Sequence, residues 1–140
     1  MPKIFHILIV EDNPSDVRLL KEVFSELDSN LDIHVACDGA EALETIFGLR
    51  HNSQRLDLIF LDLNLPKVSG HDVLMKIKEN PETCIIPVIV LTSSRAEADV
   101  RFAYKHHANA YLKKPNTLEG LVAAAGKIKH FWLETATLPS

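Results

Sequence analysis

Short apolar runs of strand length alternate along this chain with longer segments in which apolar positions recur every three or four residues. His6 to Val10 (HILIV) is apolar and β-branched and reads as a strand. Glu11-Asp12 follow. Asn13 then suits a helix cap and Pro14 a first helical position, and Val17, Leu20, Val23, Phe24 and Leu27 keep one helical face apolar. Ile33 to Cys37 gives a second strand, and Asp38-Gly39 opens a helix with Ala42, Leu43, Ile46, Phe47 and Leu49 facing inward. The polar segment His51 to Arg55 reads as a loop. Leu58 to Leu61 is a third strand, uninterrupted by polar residues until Asp62 and therefore buried on both faces. Ser69 to Asn80 forms a third helix through Val73, Leu74 and Ile77, stopped by Pro81. Pro87 to Leu91 is the fourth strand, followed by a weaker helix with Val100, Ala103 and Tyr104 inward. Ala110 to Leu112 is a brief fifth strand. Thr117 to Leu133 is a long last helix whose inward stripe is Leu118, Leu121, Val122, Ala125, Ile128 and Trp132.

Each helix carries a capping residue with an acid three positions later: Asn13 and Asp16, Asp38 and Glu41, Ser69 and Asp72, Ser94 and Glu97, Asn116 and Glu119. The oxygens satisfy first-turn N–H groups and the acids complement the positive end of the helix dipole. Strand and helix thus alternate five times over. Right-handed crossovers then require a doubly wound α/β architecture, a five-stranded parallel sheet covered on both faces. All five strand ends open onto one edge.

With 140 residues, 46% of them apolar, the chain suits one domain with a single core, residues 134–140 being expected as a tail. Acids and bases are interspersed, the net charge is −4, and the longest basic run is Lys113-Lys114, so no nucleic-acid footprint appears. Cys37 and Cys84 lack metal spacing, and no apolar run is long enough for a membrane span or signal peptide. A reduced, cytoplasmic protein is expected. The seven His form no H-x3-H or His/Cys cluster and read as surface or core groups. The five Gly form neither a P-loop nor G-x-G-x-x-G.

Chemistry gathers at the common edge. Glu11 and Asp12 follow the first strand, Asp62 ends the third, Thr92 the fourth, and Lys114 lies past the fifth. Open α/β sheets bind ligands there. Clustered carboxylates must take up protons or hold a cation, and oxygen ligands without His or Cys favour Mg2+. Asp62, centrally placed, is the candidate nucleophile toward phosphorus, forming an acyl phosphate. The Lys114 ammonium and Thr92 hydroxyl suit the charge that spreads over the phosphoryl oxygens. Taken singly, each has a plainer reading as a solvated loop acid, a helix-start hydroxyl or a surface lysine before a turn proline.

The set Glu11-Asp12, Asp62 with Pro66 and Gly70 downstream, Thr92, and Lys114-Pro115 resembles the receiver domain of two-component response regulators along the whole chain. The resemblance implies a flavodoxin-like fold with strand order 2-1-3-4-5. It implies Mg2+ bound by Glu11, Asp12, Asp62 and the backbone carbonyl of Asn64, and a phosphoryl group taken by Asp62 from a sensor histidine kinase. It implies a switch in which Thr92 moves toward the phosphate and Tyr111 turns inward, altering the face built from the fourth helix, fifth strand and fifth helix. The Glu-Asp-Asn-Pro opening, the polar loop before the third strand and the ending Phe131 to Pro139 are most similar to the small stand-alone receivers that partner cyanobacterial phytochromes, type A. A phytochrome kinase and light signalling are implied, with an unknown downstream protein and neither nucleic acid nor membrane as partner. Asn116 and Ser93 depart from the residues many receivers carry there.

Phe102 and Phe131 fall outside their helices' inward stripes and are expected at a homodimer contact. Two other readings stand beside the phosphoacceptor. An aspartyl-nucleophile phosphatase or hydrolase calls for a second acid two residues after Asp62, where Asn64 stands. A phosphorylation-independent docking module would not need the acids and Lys114, all of which are present. On the receiver reading the chain is not an enzyme beyond its own phosphoryl transfer and dephosphorylation.

Overall fold

The computed structural model describes residues 3–51 and 55–139. Five parallel strands, β1 (Phe5–Val10), β2 (Leu31–Ala36), β3 (Leu58–Leu61), β4 (Val88–Thr92) and β5 (Ala110–Lys113), lie in the order β2-β1-β3-β4-β5. Helices α1 (Pro14–Leu27), α2 (Gly39–His51), α3 (Gly70–Glu79), α4 (Glu97–Lys105) and α5 (Leu118–Ile128) connect and follow them. The expected architecture and strand order are both present. Alternate side chains of each strand feed opposite faces. Leu8, Val10, Ile59, Leu61 and Val90 pack with α2, α3 and α4 through Ala42, Ile46, Val73, Leu74 and Ala103. Ile7, Ile9, Leu58, Phe60 and Ile89 pack with α1 and α5 through Val23, Phe24, Leu121 and Ala125, the Phe24 and Phe60 rings lying 5.0 Å apart.

Three of the five caps form as expected. Asn13 accepts from the N–H groups of Ser15 and Asp16, Asp38 from that of Glu41, and Ser69 from that of Asp72. The other two shift. α4 begins after Ala96 with no side-chain cap, and Ser94 lies two residues ahead of it, its hydroxyl donating to Asp99 Oδ2 at 2.6 Å and accepting the Ala96 N–H at 3.3 Å. α5 is capped by Thr117, whose hydroxyl accepts from Gly120 N–H, and not by Asn116. The last helix also runs on beyond Ile128 as a π-helical segment, Lys129–Thr135, that buries Leu133.

The helix faces need correction at four positions. Leu118 and Val122 are exposed, since the stripe Leu121, Ala125 and Ile128 already fills the contact with the sheet. Tyr104 is half exposed because its hydroxyl accepts the Tyr111 N–H at 3.2 Å on the free side of β5, the edge strand. Phe102, expected at a surface contact, packs against the α2–α4 core, its ring 4.8 Å from that of His71 and 4.2 Å from that of His106. Phe131 is exposed as expected. The expected inward Leu49 side chain and most of the loop around 51–55 lie outside the described residues.

Candidate phosphoryl-acceptor site

Every expected acidic and basic side chain of the site comes to the carboxyl edge of the sheet. β1 ends at Val10, so Glu11 and Asp12 leave it directly; β3 ends at Leu61 and presents Asp62; Thr92 closes β4. The Lys114 N–H bonds the Thr92 carbonyl at 2.8 Å, tying the ends of β4 and β5 and aiming the lysine inward. Glu11, Asp62 and Thr92 are buried polar residues, whereas Asp12 is exposed.

Asp62 meets a different partner at each oxygen. Oδ1 accepts from the Thr92 hydroxyl at 2.8 Å and from the Asn64 N–H at 3.0 Å. Oδ2 faces Lys114 Nζ at 3.0 Å. The same ammonium bonds Glu11 Oε1 and reaches Asp16 Oδ2 at 3.1 Å. Asp16 was expected only as an acid in the first turn of α1. A helical turn places it within reach of the lysine, a proximity that spacing along one element does not reveal.

Carboxylate oxygens of Glu11, Asp12 and Asp62 all lie within 4.8 Å of one another. Burial pushes the Glu11 carboxyl up to about 7; the Asp62 charge acts in the same direction, and Lys114 pulls against both. For Lys114, burial disfavours the ammonium, but its bonds to Glu11 and Asp62 outweigh that and hold it above its ordinary value. One ammonium is therefore shared among carboxylates that still carry an unfavourable excess of negative charge. An all-oxygen donor set in that condition fits a hard divalent cation.

Gly70 fixes how closely α3 approaches. A Cβ there would stand 2.3 Å from the Asp62 carbonyl oxygen and 2.4 Å from Leu63 Cα, so the helix start rests directly on the backbone that carries Asp62. Tyr111 is half-buried, its hydroxyl donating to the Ser94 carbonyl at 3.0 Å. Ser94 in turn donates to Asp99 Oδ2, and Asp99 Oδ1 lies 2.9 Å from His71 Nε2. The sequence pattern offers Ser94 only as a cap and gives no sign of this chain of contacts from β5 to α3, because His71 and Asp99 meet across two helices.

The family model for the response regulator receiver domain matches residues 7–126. The chain belongs to this family. The receiver is 44% identical over 141 residues to response regulator Rcp1 of Synechocystis sp., covering 99% of this chain and 95% of that protein. It superposes on the crystal structure of the phosphorylated cyanobacterial phytochrome response regulator RcpA with a TM-score of 0.92 at 41% identity, over 98% of this chain and 99% of that one. The Mn2+-bound form of Rcp1 gives a TM-score of 0.87 at 41% identity, over 99% and 100% of the two chains. Both the expected family and its similarity to phytochrome response regulators are thus shown. Among the described residues, no helix is long and apolar enough to cross a membrane.

Two of the histidines, though without metal spacing along the chain, meet in space. His6 and His34 converge with Asp32, their ligand atoms lying within 4.8 Å of one another. Spacing along the chain hides this group because it is assembled across two strands. The available signal was Asp32-x-His34, which the twofold strand period places on one face.

Proposed function

We propose that Asp62 accepts a phosphoryl group from the phosphohistidine of a sensor histidine kinase, a phytochrome, and that Thr92 and Tyr111 convert this event into a changed surface on α4, β5 and α5. The observation that carries the reading is the two-sided engagement of the Asp62 carboxylate, by Thr92 and Asn64 at Oδ1 and by Lys114 at Oδ2. These donors orient the oxygens that attack phosphorus; the P–N bond of the donor breaks as the O–P bond forms. Lys114 and Thr92 are then placed to hold the phosphoryl oxygens where charge develops. Glu11, Asp12, Asp62 and the Asn64 carbonyl would hold Mg2+. That cation supplies neutralisation of charge shared between the carboxylates and the incoming phosphoryl group.

The likeness to Rcp1 and RcpA over almost the full chain supports a phytochrome as the cognate kinase and the cytoplasm as the compartment. Turnover of external phosphoesters is disfavoured by Asn64, which offers Asp62 an N–H donor and no acid. The exposed Phe131 supports a second copy of the chain as partner, with a separate downstream protein reading the switched face.

Incubation with Mg2+ and a small-molecule phosphodonor, followed by intact mass measurement, tests the central step. One added phosphoryl group, absent from Asp62→Asn, is expected. No addition, or addition that persists in Asp62→Asn, would overturn it. Transfer from purified phytochrome kinases, compared with unrelated histidine kinases, tests the partner.

A further inference from the structure

We propose that His6, Asp32 and His34 form a second cation site, specific for a zinc-like transition metal and separate from the acidic cup at Asp62. His6 Nδ1 lies 2.9 Å and His34 Nε2 3.2 Å from the same atom, Asp32 Oδ2. All three ligand atoms fall within 4.8 Å of one another. Zinc binds imidazole nitrogen and carboxylate oxygen at about 2.0–2.1 Å, so neighbouring donors around a tetrahedral ion stand about 3.3 Å apart. The observed spacings are already close to that separation.

The backbone explains the convergence. β1 and β2 are parallel neighbours in which His6 pairs with Asp32 and Leu8 with His34. Positions 6, 32 and 34 therefore project from one face of the sheet. The His6 N–H is further anchored on Asp57 Oδ2 at 2.8 Å. Rigid strands thus hold the donors.

His34 Nε2 supplies an independent observation. This atom is buried and lacks a hydrogen-bond partner among the described residues, although Asp32 Oδ2 lies within ion-pair distance. Buried polar atoms are ordinarily satisfied. A cation between Nε2 and the carboxylate, which already meets His6 Nδ1, would satisfy that nitrogen. The Asp32 side chain is 45% exposed and the two imidazoles about a quarter exposed, which leaves a route for the ion and room for water as a fourth ligand.

Donor chemistry separates the two sites. Two imidazoles and one carboxylate suit borderline-soft divalent ions, with zinc favoured over magnesium, whereas the all-carboxylate cup suits hard ions. The sites also lie at opposite ends of the strands: His6 to Glu11 is five residues of extended chain, roughly 16 Å. A bound ion would fasten edge strand β2 to β1 without touching Asp62.

The test is Zn2+ titration of the full chain in saturating Mg2+, against a competing chromophoric chelator, with imidazole nitrogen shifts followed by NMR. One zinc equivalent is expected, with shifts at His6 Nδ1 and His34 Nε2 and at least tenfold weaker binding in Asp32→Ala and His34→Gln. Binding unchanged in both variants, binding lost instead in Glu11→Gln, or no shift of the His6 and His34 nitrogens would each overturn the proposal. The shifts are read on the unsubstituted protein, so poor folding of a variant does not obscure the answer.

Discussion

The Thr92 hydroxyl donates to Asp62 Oδ1 at 2.8 Å from a position with no solvent exposure. Replacing it with the near-isosteric valine keeps the shape of the β4 end and deletes only the donor. A hydrogen bond to a charged group contributes about 1.5–3 kcal/mol, so Thr92→Val should lose about that much stability in urea unfolding. Phosphoryl uptake from a small donor should continue, because Lys114 and the Asn64 N–H remain, while the coupling to Tyr111 is lost. Tyrosine fluorescence on phosphorylation should change in the parent protein and stay flat in Thr92→Val. An equal change in both would remove Thr92 from the switch.

Lys114 both stabilises the cup and competes for it. Its ammonium bridges Glu11, Asp16 and Asp62, so Lys114→Met leaves buried carboxylates facing one another. Breaking a buried pair by removing one partner costs roughly 3–5 kcal/mol. The vacated space and uncompensated charge should, however, favour a divalent ion. Lys114→Met is expected to be less stable without metal, to bind Mg2+ more tightly, and to recover part of its stability as Mg2+ is added. Unfolding midpoints across a magnesium series measure all three effects. Weaker magnesium binding in the variant would contradict the competition.

Gly70 shows where sequence reasoning gives the right residue for an incomplete reason. Downstream of Asp62 it belongs to the residue pattern of the site, and it forms the first residue of α3, directly after the Ser69 cap. What the sequence could not display is that a Cβ at Gly70 would collide with the Asp62 carbonyl and Leu63 Cα, both backbone atoms unable to swing aside. Overpacking costs typically 1–3 kcal/mol, and Gly70→Ala should fall at or above the top of that range. It should also slow phosphoryl uptake, since the atoms displaced carry Asp62. A variant with parent-like stability and uptake would show that α3 can retreat freely.

The same distinction runs through the chain. Strand runs, the helix starts at Asn13, Asp38 and Ser69, and the arrival of Glu11, Asp12, Asp62, Thr92 and Lys114 at one edge were legible because periodicity, capping and parallel topology are local or nearly local rules. Asp16 on Lys114, Tyr104 beneath the Tyr111 N–H and the His6–Asp32–His34 group were not, because each depends on register or on which face of a helix meets a neighbour. Ser94 illustrates the difficulty within a single residue. Its spacing to Glu97 satisfies the capping pattern, yet its hydroxyl bonds Asp99 two residues further on, and the helix starts late.

Asp99 carries a pH dependence. Hydrogen bonds from Ser94 and then His71 hold its carboxyl below the usual range. A carboxyl depressed in the folded state contributes stability above its unfolded pKa of about 3.9 and loses it as pH falls through the lower folded value. Asp99→Asn should therefore be less stable than the parent at neutral pH, with the gap beginning to narrow as pH falls below the unfolded value of about 3.9. Urea midpoints of both proteins at pH 7 and pH 3 test this. A gap that stays constant with pH would assign the loss to packing alone.

Phe131 and Phe102 separate surface association from core packing. Phe131 is 52% exposed and lies against the Trp132 ring at 5.2 Å beside a shallow apolar groove that includes Ala123, Ala124 and Leu112. Phe102 instead is partly buried, packed against the α2–α4 core with its ring against those of His71 and His106. If two copies associate through this part of α5, removing Phe131 deletes a large aromatic contact at the interface, of the kind that dominates binding energy. Phe131→Ala should dissociate at concentrations where the parent sediments as a dimer, with an unchanged urea midpoint in the monomer range. Phe102→Ala should do the reverse, losing stability by about 2 kcal/mol or more while keeping its association. Sedimentation velocity over a concentration series, run beside urea unfolding, distinguishes the two. Unchanged mass in Phe131→Ala at every concentration would place any self-association elsewhere on the molecule.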